Sequence, residues 1–107
     1  MRAKQPSRDQ ISLSEVLYAL SDPVRIEIVM SIADVGEQPC NQCGVEMPKS
    51  SLSHHFKVLR EAGIVATRVE GTRHINSIRT ADLNARFPGL LNAVLKAASR
   101  SMVEQHT

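Results

Sequence analysis

The stretch from Lys49 to Gly63, KSSLSHHFKVLREAG, constrains this chain more than any other. Leu52, Phe56 and Leu59 recur at i, i+4 and i+7, the spacing of a helix with one face to bury. Gly63 follows as a stop signal. The opposite face presents Ser50, Ser53, His54, Lys57 and Arg60, which are short hydroxyls, an imidazole and two cations. A face of this kind suits the major groove of duplex DNA, where base-edge donors and acceptors lie between phosphates. It equally suits bulk solvent, because charged helical faces are common. The surrounding chain decides between the two.

With 107 residues, 42% of them hydrophobic, the chain has material for one small domain with a modest core. Residues 1–10 are polar, contain Pro6 and lack periodicity, so they read as a mobile arm preceding a domain over 11–107. Ser12 and Glu15 have capping-box spacing and open a short helix with Leu13, Val16, Leu17 and Leu20 as its apolar stripe. Asp22 as cap and Pro23 at the first helical position open a second helix. Its stripe Val24, Ile28 and Ile32, widened by Ile26, Val29, Met30 and Ala33, predicts a central core helix ending at Val35-Gly36. Residues 37–47 are least legible; a short helix over 41–45 is compatible with them, and Met47-Pro48 breaks it before the Lys49 helix. That order is helix-turn-helix organisation, with Ser50 the expected N-cap of the second helix.

After Gly63 the period shortens. Ile64 to Val69 is β-branched, Glu70 to Arg73 is a turn, and His74 to Arg79 alternates, with Ile75 off-face from Ile78 unless a bulge intervenes. This predicts a hairpin whose tip carries Arg68, Thr72, Arg73 and His74, placed to reach a phosphate strand or minor groove. A helix starts near Thr80-Ala81-Asp82, Pro88-Gly89 interrupts it, and Leu90, Leu91, Val94, Leu95 and Ala98 mark a last helix. Its apolar side exceeds what so small a core needs, which predicts a symmetric homodimer through the last and first helices.

Charge is unevenly spread. Residues 1–48 hold four Lys/Arg against seven Asp/Glu, whereas residues 49–79 hold six against two. Positive charge gathered in one third of a domain is the footprint of a polyanion partner. Three aromatics and no Trp provide poorly for stacking on single strands. No run of apolar residues is long enough to span a bilayer, and the N-terminus lacks a secretory apolar core, so a cytoplasmic protein is expected. No phosphate loop, nucleophile motif or catalytic His–carboxylate spacing is present, which argues against an enzyme, and no cofactor is expected.

Two segments carry a family resemblance. LYALSDPVRIEIVMSIA (17–33) and SSLSHHFKVLREAGIVATRVEGTRHINSI (50–78) resemble the opening and the DNA-reading core of ArsR/SmtB-type winged-helix regulators. The resemblance implies a mainly α winged helix-turn-helix with a small β-hairpin, and a dimeric repressor that leaves a palindromic operator when an inducer binds. It places Ser51, Ser53, His54 and Lys57 nearest the bases, Lys49, Ser50 and Arg60 near phosphates, and Arg68, Thr72 and Arg73 in the wing. His55 falls where the family has a partly buried histidine, which predicts donation to backbone rather than base reading.

The departures concern metal. The cysteine positions of the family's metal sensors fall on Glu37 and Pro39, so Cys40 and Cys43 are out of register; Asp82-Leu83-Asn84 lacks the histidine of the second site, and no metal site of the family type is expected. One C-x-x-C cannot complete a tetrahedral zinc site alone. Three readings of Cys40 and Cys43 stay open: no sensory role, redox or thiophilic sensing, and metal binding with other ligands. The inducer is not identified by sequence. The competing function is a winged-helix module that docks a protein and reads no DNA sequence; charge clustering favours DNA.

Overall fold

The computed structural model describes residues 5–36, 38–39 and 46–106, the side chains of 38, 39 and 101–106 excepted. After a single 3-10 turn at Arg8–Gln10 come α1 (Leu13–Ala19), α2 (Pro23–Val35), β1 (Gln38–Pro39), α3 (Lys49–Ala62), β2 (Val65–Glu70), β3 (Arg73–Ile78), α4 (Thr80–Arg86) and α5 (Leu90–His106). The helix starts follow local chemistry. Ser12 Oγ accepts from the Glu15 amide at 3.3 Å, making the serine half of the expected capping box. Asp22 Oδ1 accepts from Val24 N–H at 2.8 Å, with Pro23 behind it at the first helical position.

The core lies where α1, α2, α3, the base of the hairpin and the start of α5 meet. Phe56 and Leu59 are its α3 members, with Leu52 half-buried beside them. In α2 the buried stripe is Arg25, Ile28, Val29 and Ile32. This differs from the expected Val24, Ile28, Ile32 face; Val24 is only half-buried and Ala33 is exposed. In α1 the stripe is likewise rotated: Val16, Ala19 and Leu20 go inward, leaving Leu13 46% and Leu17 47% exposed. Leu91 joins the core, with Leu90, Val94 and Leu95 packed against it.

The sheet has three antiparallel strands in the order β1-β3-β2, one more than the expected hairpin. Gln38 and Pro39 pair with Asn76 and Ile75. The β2–β3 register runs unbroken from Val65 opposite Ile78 to Glu70 opposite Arg73, so no bulge intervenes. Ile75 is buried all the same, on the face opposite Val65 and Ile78 and outside the main core. The two-residue loop Gly71-Thr72 has positive φ only at its first position, +65° at Gly71, which is the type II′ arrangement that suits strand twist. At the hairpin's base the fully buried Asn76 Oδ1 accepts from Thr67 Oγ1 at 2.6 Å.

Of the stretch expected to be a mobile arm, residues 1–4 lie outside the described residues, and residues 5–10 are tied down. The Gln5 amide pairs with Thr67, accepting from its N–H at 3.0 Å and donating to its carbonyl at 3.3 Å. Arg79 donates to the Pro6 carbonyl. Arg8 Nε and Arg79 Nη2 grip the two oxygens of Asp82 at 2.7 and 2.9 Å. Those hydrogen bonds, Arg8's first and then Arg79's, hold the Asp82 carboxyl below its ordinary value.

Gly63, at φ +87°, closes α3 while Ile64 N–H reaches back to the Leu59 carbonyl at 3.1 Å. A Cβ there would sit 2.5 Å from Ile11 Cγ1 and 2.8 Å from its Cδ1. Left-handed strain and overpacking together predict that Gly63→Ala lowers stability by about 2–4 kcal/mol in urea unfolding. Asp82 supplies a pH test. Because its folded-state pKa is lowered, its contribution is complete above the ordinary carboxylate value and is lost as pH falls through the folded value. Asp82→Asn should therefore lower the urea midpoint at neutral pH, with the difference from wild type shrinking as pH falls below the ordinary carboxylate range.

Candidate nucleic-acid interface

The two faces of α3 have opposite fates. Phe56 and Leu59 hold one face in the core, which turns Lys49, Ser50, Ser51, Ser53, His54 and Lys57 to solvent, with Arg60 half-exposed. The helix starts two residues earlier than an N-cap at Ser50 would allow. Pro48 occupies the cap position and no side chain caps the helix. Ser50 is thus an exposed first-turn residue whose hydroxyl is not used in capping. The orphan amides of this first turn add partial positive charge beside Lys49.

Two residues, Gly63 and Ile64, join the helix to the hairpin, so helix face and wing are closely linked. Thr72, Arg73 and His74 are exposed at or beside the tip. Arg68 is also exposed but is paired with Glu70, Nη2 to Oε2 at 3.1 Å. Arg79 is committed to Asp82 and to the arm. Lys49, Lys57, Arg60 and Arg73 carry no ion pair among the described residues. The basic footprint therefore reduces to two lysines and an arginine on the helix and one arginine on the wing. Cations without local partners are the ones available to displace counterions from a polyanion.

His55 is half-buried, as expected, but its partner is not backbone. Its Nδ1 lies 3.2 Å from Arg25 Nη1. Arg25 is 6% exposed, and its Nε donates to the Ala19 carbonyl at 2.7 Å. The α2 stripe read from the sequence does not include Arg25. The available signal was its place on the stripe of Ile28, Val29 and Ile32, at i−3, i−4 and i−7. Cys40 and Cys43 lie outside the described residues. Among the described residues, no three His, Cys, Asp or Glu side chains converge as metal ligands, and no helix is long and apolar enough to cross a membrane.

Residues 22–67, which run from the cap of α2 through α3 into β2, match the family model for bacterial regulatory proteins of the arsR family. An uncharacterised HTH-type transcriptional regulator of Bacillus subtilis (strain 168), YceK, is 35% identical over 97 residues, covering 88% of this chain and 95% of the relative. The chain belongs to the ArsR family. An HTH-type regulator of Methanocaldococcus jannaschii is 36% identical over 61 residues, 55% of this chain and 68% of that protein. One from Mycobacterium tuberculosis (strain ATCC 25618 / H37Rv) is 36% identical over 74 residues, 65% of this chain and 63% of its own. This ArsR-family protein is therefore a DNA-binding transcriptional regulator and not an enzyme, with the winged helix-turn-helix architecture. The matched span contains α3 entire, while the wing tip lies beyond it.

Proposed function

We propose that this ArsR-family regulator is a dimeric repressor that reads duplex DNA with the exposed face of α3. The observation that carries the reading is that face itself: hydroxyls not used in capping, an exposed imidazole and unpaired cations, beside a wing with an unpaired arginine at its tip. Ser51, Ser53, His54 and Lys57 are assigned to base edges and Lys49, Ser50 and Arg60 to phosphates. Arg68, Thr72 and Arg73 are assigned to the backbone or minor groove beside the wing. Arg68 reaches DNA only by exchanging Glu70 for a phosphate, so Arg73 is the stronger wing contact.

Dimerisation through α1 and α5 is supported by apolar surface the single domain leaves uncovered: Leu13 and Leu17 one turn apart on α1, with Tyr18 63% exposed beside them. A two-fold pair presents α3 twice, matching a palindromic operator. Two release signals are proposed, an inducer and oxidation of Cys40 and Cys43; the second rests on the C-x-x-C spacing alone. The cytoplasm, where free thiols are the resting state, is the compartment this reading assigns.

Selection of bound duplexes from random-sequence DNA tests the reading. Lys57→Ala should weaken the selected site by about 1–3 kcal/mol and relax base preference. Arg73→Ala should weaken all sequences alike and flatten the salt slope by about one unit. Binding that is indifferent to salt would instead support a protein-docking module. For the dimer, Leu17→Glu should convert a dimeric species to a monomer in sedimentation while leaving its thermal unfolding little changed, since Leu17 is half-exposed in the isolated fold. A monomeric wild type would remove the two-fold reading.

A further inference from the structure

We infer that Arg25 and His55 are a positioning pair that seats the reading helix, made only while His55 is uncharged, so that DNA affinity falls on acidification. The inference rests on α3 being the groove helix. Arg25 is almost wholly buried, and its donors are shared among three elements. Nε binds the Ala19 carbonyl at 2.7 Å and Nη2 the Tyr18 carbonyl at 3.4 Å, both at the end of α1. Nη1 faces His55 Nδ1 of α3 at 3.2 Å. Asp22 Oδ2, at the start of α2, stands 3.9 Å away, and the Tyr18 ring lies 5.4 Å from the guanidinium carbon.

A guanidinium has five donors, no acceptor and a permanent charge. The 3.2 Å contact is therefore a hydrogen bond only if Nδ1 is the acceptor, which puts the neutral ring's proton on Nε2. Charging the ring places an N–H on Nδ1, aimed at a guanidinium, and exchanges a charge-assisted hydrogen bond for a like-charge contact. The Asp22 carboxylate attracts a charge on His55, but it also stands 3.9 Å from the guanidinium, which shares that attraction, so it offsets the repulsion only in part. From α2, the Asp22 carboxylate already accepts from Val24 and Arg25 N–H. From α1, Tyr18 offers its ring to the same guanidinium, while Glu15 lines a cleft with Glu61 of α3 farther along the seam. On α3 the neighbouring ring is His54, with centroids 5.9 Å apart. The titratable residues of β2, Arg68 and Glu70, pair with each other in its outer half. The response is loss of the Arg25–His55 contact, which frees the half of α3 that carries Ser53, His54 and Lys57 to shift while Phe56 and Leu59 stay buried.

His55→Asn separates seating from titration, because an asparagine oxygen accepts where Nδ1 did and carries no charge. On a duplex enriched by the wild type from random DNA, the two proteins should bind within about threefold of each other at about pH 7.5. Between there and about pH 5.5 the wild type should lose about tenfold relative to the variant. The ratio cancels charging of His54 and His74, which strengthens attraction to DNA in both proteins. Parallel pH profiles would overturn the inference. Imidazole nitrogen-15 spectra of the free wild type give a second readout, independent of DNA and of the variant's folding. The Nε2–H tautomer at neutral pH, with α3 amides shifting as His55 titrates, is expected; an Nδ1–H tautomer or indifferent α3 amides would overturn the pairing. Failure to enrich any duplex would sink the groove reading, while the ring spectra still decide the pair.

Discussion

Burial of Phe56 and Leu59 fixes the rotation of α3 about its own axis, and the surface proposed above to meet DNA follows from that rotation. The two side chains are 1% and 0% exposed. Each is worth about 1.5–3 kcal/mol of apolar burial, so turning the helix by even one residue would forfeit several kcal/mol. Because successive helical residues are about 100° apart, His54 and Lys57 are thereby driven outward, and His55 is left at the seam with α2. The face assigned to DNA owes its direction to the hydrophobic effect, which specifies no DNA sequence.

Axial position and tilt are set separately. At its C-terminal end, α3 closes on Gly63, over which Ile11 packs so tightly that no side chain fits. Ile11 in turn follows the docked stretch 5–10, held by Asp82, Arg79 and Thr67. Midway along the helix the contact is polar, from Arg25 to His55. The C-terminal end is thus held by shape and the middle by charge and lone pairs. The same bonding sharpens the electrostatics: Arg8, Arg68 and Arg79 pair with Asp82 and Glu70, so between residues 49 and 79 the described cations without an ion pair lie on α3 and at the wing tip.

Punctuation in the sequence was legible because it acts over a few residues. Ser12, Asp22-Pro23, Gly63, Gly71 and Pro88-Gly89 mark helix ends and a turn by chemistry that hardly depends on the rest of the fold. The α3 stripe was legible for a related reason, since its apolar and polar positions separate cleanly around the helix. In α2 they do not. Nearly every position is apolar, so periodicity could not say which stripe goes inward, and it hid a buried arginine among hydrophobes. Strand β1 has no β-forming residue to announce it, and Gln38 and Pro39 become strand only because β3 offers an edge. The docked arm was invisible for the same reason: Gln5 to Thr67 and Arg8 to Asp82 join residues 62 and 74 positions apart. The DNA-facing residues themselves were read from the helix face, the hairpin and a family resemblance, and only their exposure and pairing come from structure.

A buried arginine is an expensive way to fasten a helix. An apolar contact of similar volume would hold α3 at least as firmly, since desolvating a charge consumes much of what its bonds return. What an apolar contact lacks is direction. The Arg25 fork takes the Ala19 and Tyr18 carbonyls with one edge and His55 with another, fixing the angle between α1 and α3 to within hydrogen-bond tolerance. In the dimer proposed above, α1 carries the surface between subunits and α3 the surface toward DNA. That angle then sets the separation of the two reading helices, which must match about 34 Å, one turn of the duplex, for both half-sites to be read together. A few degrees at the fork become ångströms at the groove. On the proposed reading, specificity for a spaced palindrome would depend as much on this buried guanidinium as on the side chains assigned to the bases.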